Sequence, residues 1–505
     1  MIVLIAIPLI LAPDSAGNTE KQESTEVDNL VLITPHPEMT RQEFDKAFRK
    51  YYLEKYGRQV NLDWRNVGGT SDIVRYINDR YEAAFRLHCE EKGIPWNEQA
   101  AKDFKNARLK DSSVRREFLD SETGIGIDLF FGGGTFDQDR FAQMGFAVDA
   151  GVAKRHPEYF EHIPQEFAGE KIYDGNGGFY GVCLSSFGFA YNLDRFKDMG
   201  IDAPKTWADL THPALYQKIA IADPTKSGSI TKCYEMIIQQ AMAEKAPDLV
   251  AGWQLGFDRI RLIAANSRYV TSSAGALVRD VSSGAAAVGM CIDFYGFSEA
   301  AWTNMLQGRE RIRYVMPENG SAVTSDPIQM LRGAPNRKVA EAFIDFLLSH
   351  DGQKIWMLEA GTEGGPEKYA MLRPGVRKDA YEIYNREDLS FPDYNPYQSS
   401  GTFQYHGEWT GRYFGLIRVL IKCVALDPMD ELHTAWRTIL ENGGPEACPM
   451  AMKELCTLPF SYGEAAEAAN GLYGSPADVT ALRRSWTEQS VEHYRKAAKL
   501  AAEGK

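Results

Sequence analysis

Ser227, Gly228 and Ser229 follow a short apolar run, Ile219–Ala222, that Pro224 stops. Residues with helical spacing, Tyr234, Ile237 and Ile238, come next, so the pattern predicts a helix beginning near Ser229. The first N–H groups of such a helix have no partner within it, and the helix dipole places partial positive charge there. Two hydroxyls beside a glycine that admits close approach to the backbone then make an anion cradle. A serine here also serves as a plain N-cap. Repetition favours the cradle. Val67-Gly-Gly-Thr-Ser sets Thr70 and Ser71 at a helix start, Gly132-Gly-Gly-Thr ends in Thr135, and Thr271-Ser-Ser sets Ser272 and Ser273 at another start. Ser185 and Ser186 lie mid-way along an extended run, Phe179–Asn192. Asp293 and Tyr295 follow a small-residue strand, Ala285–Ile292, and His36 follows the first strand in a Pro-flanked turn. Tyr405-His-Gly-Glu-Trp reads as a packed turn and is assigned no chemistry.

These residues need elements to hold them. Asn29–Thr34, Val60–Arg65 and Ile125–Phe131 read as short strands separated by helical segments such as Arg41–Tyr56. That β-α-β-α order argues an α/β fold with a parallel sheet. Glycines at the carboxyl end of the third strand suit the crevice in which open α/β sheets bind ligands. Arg86 to Glu122 is polar and helix-prone and reads as an insertion. Further strands are expected over Ile312–Met316 and Asp326–Arg332, then an amphipathic helix over Asn336–Leu348. From about Pro366 Tyr, Pro and Asn become dense, and Tyr413–Ala425 and Tyr462–Ala501 look helical. No solenoid-length repeat is present.

Hydrophobic residues make up 44% of the 505 residues and charged residues 25%, a globular balance. A formal net charge of −13, with no basic run, does not suit a nucleic-acid binder. Seven cysteines without a Cys-x-x-Cys spacing read as buried free thiols; Cys448 and Cys456 form the one conceivable pair. Met1–Ala12 looks like the apolar core of a secretory signal that lacks its basic start, and Glu20–Asp28 like a polar linker, so residues 1–28 are set apart and export to the periplasm or cell surface is expected. No later segment is apolar enough for a membrane helix. There is no Gly-x-Ser-x-Gly elbow, His-Glu-x-x-His, P-loop lysine or Rossmann fingerprint to support an enzyme.

Gly181–Asn192, Pro204-Lys-Thr-Trp-Ala-Asp-Leu, Asp223-Pro-Thr-Lys-Ser-Gly-Ser and Gly333-Ala-Pro-Asn to Gln353, in this order and spacing, make the chain resemble an extracellular solute-binding protein of an ABC importer. It is similar to the two-lobed type II class, in the ferric-iron, thiamine, phosphonate and sugar-phosphate group. The resemblance implies two α/β lobes joined by crossing strands with the ligand between them. Lobe one would hold residues 29–186 and 320–365, lobe two residues 187–319, and a mainly helical C-terminal extension residues 366–505. The extension is expected to pack on lobe one or to offer a docking face. The implied partners are a small solute and a membrane permease, with a monomeric binder and no cofactor. An anionic solute bearing phosphate or phosphonate would be held by Thr70, Ser71, Thr135, Ser185, Ser186, Ser227, Gly228, Ser229, Ser272, Ser273, Asp293 and Tyr295. Ferric iron as cargo would use His36, Asp293 and Tyr295, although the family's Tyr-Tyr pair is missing. Thiamine would stack on Tyr295, Trp207 or Trp64. A sensor, or a hydrolase acting on a small phosphorylated substrate, is the alternative of another class.

Overall fold

The structure, a computed structural model, describes residues 27–109, 111–390, 394–399 and 403–505. The signal-like run and most of the linker lie outside these residues, and Val27 and Asp28 already belong to the first strand.

The strands of three or more residues are β1 (Val27–Ile33), β2 (Gln59–Arg65), β3 (Leu129–Phe131), β4 (Tyr180–Asn192), β5 (Ile219–Ala222), β6 (Ser267–Thr271), β7 (Val288–Ile292), β8 (Ile312–Val315) and β9 (Val323–Leu331). They form two similar halves. In the first, β2, β1 and β3 run parallel, and antiparallel β9 and then β4 continue the sheet. In the second, β6, β5 and β7 run parallel, and antiparallel β4 and then β8 continue it. β4 therefore serves both halves. Its residues up to Ser186 pair with β9, and those from Phe187 pair with β7. All of its residues are buried, as a strand covered on both faces requires. The fold is thus two α/β lobes joined by crossing strands, with helices after residue 366.

β9 is buried throughout and carries Asp326 and Pro327, between which the pairing shifts register. Proline has no N–H to give the ladder, so the strand breaks step there. Asp326 emerges at this irregularity, beside the point where the lobes join.

Two expectations of placement gain detail. The polar stretch from Arg86 to Glu122, read as an insertion, does not stand apart from the lobe. The helix Thr70–Glu91 runs through its start, and the short helices Glu98–Phe104 and Ser113–Asp120 deliver Phe104 and Phe118 to the first lobe's core. Nor does the C-terminal region rest on lobe one as a block. Met371 to Leu389 pack into the first lobe's core, but Phe403 to Ala501 share a core with the second. The reason lies in the helix Gly228–Lys245, which is buried continuously from Cys233 to Met242. A helix buried on every side needs cover on its outer face. The helix Leu249–Ala265 and the C-terminal helices supply it, and fully buried Arg261 fastens them by donating to the carbonyls of Cys456 and Thr457, both at 2.7 Å. The seven cysteines, Cys448 and Cys456 included, are free thiols.

Candidate functional site

The carboxyl ends of the parallel strands of both lobes open onto one cleft of about 840 Å³. The first lobe lines it with Gly69, Thr70 and Gly133 to Thr135, the second with Lys226 to Ser229 and Ser272 to Gly275. These turns meet across the gap. A Cβ added to Gly69 would stand 3.3 Å from the carbonyl oxygen of Lys226, and one added to Gly228 would stand 3.8 Å from that of Gly133. Helices start at Thr70, Thr135, Gly228 and Ala274, so four helix N-termini, two from each lobe, converge on one space.

Ser227 both caps and lines. Its Oγ accepts from the Ile230 N–H at 3.3 Å and lies 3.1 Å from Ser229 Oγ. Thr70, Thr135, Ser185, Gly228, Ser229, Ser272, Ser273, Tyr295 and His36 also face the cleft. Ser71, Ser186 and Asp293 do not line it. The Ser71 hydroxyl is buried without a partner. Asp293 Oδ2 accepts from the Ser186 N–H at 2.6 Å and from its hydroxyl at 3.2 Å, while Oδ1 accepts from the Phe294 N–H at 2.7 Å. This pair ties β4 to the start of the helix Asp293–Gln307 behind the cleft wall. Burial pushes the Asp293 carboxyl up to about 6, against the pull of Arg373 and these hydrogen bonds.

The floor holds residues that the sequence reading passed over. Arg373, from the loop after residue 366, donates to Asp326 through Nη1 and to Ser185 Oγ through Nη2, the latter at 3.0 Å. Its guanidinium lies over Phe294 at 5.1 Å and Trp356 at 5.5 Å. His36 Nε2 stands 2.9 Å from Asp326 Oδ2, and its Nδ1 stands 2.9 Å from Thr34 Oγ1. Burial alone would raise the Asp326 carboxyl, but Arg373 and His36 outweigh it and hold the group well below the usual range. Burial works against the Arg373 charge too, and Cys183, Asp326 and Asp293 overcome it.

Acidic side chains outnumber basic ones in the lining, yet most are already matched: Asp326 by Arg373, Asp139 by Lys171 at 3.0 Å, Glu170 and Glu235 by Lys232. Burial pushes Asp137 up to about 6. Lys226, exposed at the cleft, has no carboxylate within ion-pair distance among the described residues.

Of the three residues named for ferric iron as an alternative cargo, His36 and Tyr295 face the cleft, with both ring nitrogens of His36 engaged, and Asp293 lies behind the wall. Among the described residues no group of three or more His, Cys, Asp or Glu could hold a metal ion. Neither tryptophan offered for ring stacking reaches the cleft. Trp207 is fully buried with Nε1 donating to the Gly320 carbonyl at 2.7 Å, and Trp64 Nε1 donates to Asp45 at 3.1 Å. Tyr405 and Gly407, read as a packed turn, form part of the cleft wall instead.

A signal for the floor was present. A carboxylate inside the strand-like run Ala322–Leu331 must find a cation when buried. Arg373, in the apolar stretch Tyr369-Ala-Met-Leu-Arg-Pro, was available to meet it.

A family model described as bacterial extracellular solute-binding protein matches residues 125–382. An uncharacterized protein of Haemophilus influenzae is 28% identical over 230 residues, 45% of this chain and 60% of that protein. The phosphoglycerate transport regulatory protein PgtC of Salmonella typhimurium is 24% identical over 181 residues, 36% of this chain and 41% of that one. The chain therefore spans less than two thirds of the length of either relative. Among solved structures, the periplasmic binding protein AfuA from Actinobacillus pleuropneumoniae, with exogenous fructose-6-phosphate bound, matches with a TM-score of 0.50 at 20% identity, covering 81% of this chain and 98% of that chain.

Proposed function

The chain belongs to the bacterial extracellular solute-binding proteins, and from that premise we propose that its cleft captures a small anionic solute bearing a phosphate or phosphonate group for delivery to an ABC-transporter permease. The observation that carries this reading is the convergence of helix N-termini from both lobes on one space that also holds Lys226 and Arg373. A tetrahedral anion accepts many hydrogen bonds, and unpaired backbone N–H groups, hydroxyls and a guanidinium are its natural donors. Thr70, Thr135, Ser185, Ser227, Gly228, Ser229, Ser272 and Ser273 are the proposed contacts, with Tyr295 against the body of the solute. The role of Ser71, Ser186 and Asp293 in this reading is to hold the walls. The name of the Salmonella relative, a phosphoglycerate transport regulatory protein, agrees with the phosphate class.

A thermal-shift screen with phosphate esters, phosphonates, thiamine and ferric salts tests the proposal. A ligand at a hundred times its Kd stabilises a binder by about 2.7 kcal/mol. The expected result is a shift with a phosphate ester or phosphonate and recovery of that ligand unaltered. A shift with thiamine or ferric salts alone overturns the anionic class, and turnover of the ligand overturns the binder. The word "regulatory" in the Salmonella name favours a second reading, in which the loaded protein addresses a receptor instead of a permease. Pull-down of the loaded protein with the products of neighbouring genes separates the two.

A further inference from the structure

β4 and the return from β8 to β9 carry the chain between the lobes, as a hinge requires. A third passage lies outside the sheets. Tyr397 still packs against the first lobe's core, and Phe403 is already in the second's. Tyr405 then touches both lobes. Its N–H donates to the Ala168 carbonyl at 2.9 Å, and its hydroxyl donates to Glu235 Oε1 at 2.8 Å. Its ring carries the Lys232 ammonium at 3.8 Å. Lys232 in turn lies 2.5 Å from Glu170 Oε1, across the gap, and 2.9 Å from Glu235 Oε2 on its own helix. These charges are nearly sealed from solvent, with side-chain exposures of 13% for Lys232, 7% for Glu170 and none for Glu235. A little further on, Phe414 packs on Phe136 of the first lobe at 4.7 Å.

We infer that residues 403–414 are a strap that holds the two lobes together in the solute-free protein, so that solute is admitted into a preformed cleft instead of being trapped by wide hinge closure. Opening the hinge on this side separates Glu170 from Lys232 and strips Tyr405 from the Ala168 carbonyl. Opening there also exposes the Phe136–Phe414 contact to water while Lys232 keeps only Glu235, so the closed arrangement holds contacts that an opened one loses before any ligand arrives. A binder already in its competent state does not lose apparent affinity to an open population. Gly169 shows how tightly the strap is seated. Its φ is +82° and a Cβ there would stand 2.0 Å from the Tyr405 carbonyl oxygen.

Small-angle scattering of the full, solute-free chain tests the strap and needs no ligand. A compact chain of this length has a radius of gyration of about 23 Å. The wild type is expected near that value and to fit the closed coordinates. Gly169→Ala and Tyr405→Ala, checked for folding by circular dichroism, are expected to raise it by ~1 Å or more through hinge opening. Phe136→Ala, at a residue 38% exposed, provides the perturbation should those variants fail to fold. Wild-type scattering that fits only an opened hinge overturns the strap, and so do folded variants that scatter as the closed wild type does. A protein that binds no phosphate compound yet behaves as expected here leaves the strap standing and removes only the proposed ligand class.

Discussion

Arg373 donates to Ser185 Oγ at 3.0 Å while its other terminal nitrogen holds Asp326, so one guanidinium pins β4 and β9 where they pass between the lobes. Removing it with Arg373→Met leaves the Asp326 carboxylate buried beside His36 alone. Breaking a buried pair from one side costs about 3–5 kcal/mol. Urea unfolding is expected to show a loss of that order, and Arg373→Lys is expected to restore little of it, because an ammonium lacks the planar fork that reaches two acceptors. A loss below about 1 kcal/mol, the size of an exposed pair, would remove Arg373 from this role.

Gly69 faces the Lys226 carbonyl across the cleft, with room for a Cβ only at 3.3 Å. Its φ of −75° suits any residue, so a side chain there acts as a wedge without backbone strain. Gly69→Val is expected to unfold at nearly the wild-type urea concentration but to bind its screening hit at least ~10-fold more weakly, or about 1.4 kcal/mol. Unchanged affinity would mean that the turns need not approach each other for binding.

The serines divide by position. Calorimetric titration with the phosphate ester or phosphonate from the screen is expected to lose about 1–3 kcal/mol for each of Ser227→Ala and Ser272→Ala. Ser227→Ala also loses a helix cap, about 1 kcal/mol of stability. Ser186→Ala, behind the wall, is expected to lower the melting temperature with little change in affinity. Full affinity in the Ser227→Ala, Ser272→Ala double variant would defeat the proposed contacts.

Asp293 sets a pH dependence. Its ordinary value is 3.8 and its folded value about 6, so between these the folded protein holds the proton more tightly than the unfolded chain. Stability therefore falls as pH rises from about 4 to 6, by about 3 kcal/mol from this group. Asp137, pushed to about 6, and Glu170, raised by burial, act in the same direction. Asp326, held below the usual range, acts oppositely and lower: its contribution is lost as pH falls through its depressed value. Urea midpoints measured between pH 4 and 6 are expected to slope less in Asp293→Asn than in wild type. Parallel slopes would contradict the buried, raised carboxyl.

Ferric citrate is expected to give neither a visible phenolate band nor a thermal shift, since both ring nitrogens of His36 are engaged and Asp293 does not reach the cleft. A purple-red protein would reverse this.

The sequence made much of the fold legible because its signals are local. The apolar run at Ile219–Ala222, the serine cap after it and the strand through Ser185 and Ser186 each announce themselves within a few residues, and the structure has all three. The floor was harder. Arg373 and Asp326 are 47 residues apart in sequence and meet only through tertiary structure. The C-terminal helices were misplaced because their partner is a helix buried from Cys233 to Met242, whose Glu235 and Gln239 meet Tyr405, His406 and Thr410, and which was read only as helix and not as a surface needing cover. The aromatic turn at Tyr405 carried no spacing that could have tied it to Glu235 or Ala168.

A shared strand also governs how this molecule comes apart. Because β4 is interior to both sheets, neither lobe can melt without stripping a central strand from the other. Heating is therefore expected to produce one calorimetric endotherm, its van't Hoff and calorimetric enthalpies agreeing, where two independent domains would give two.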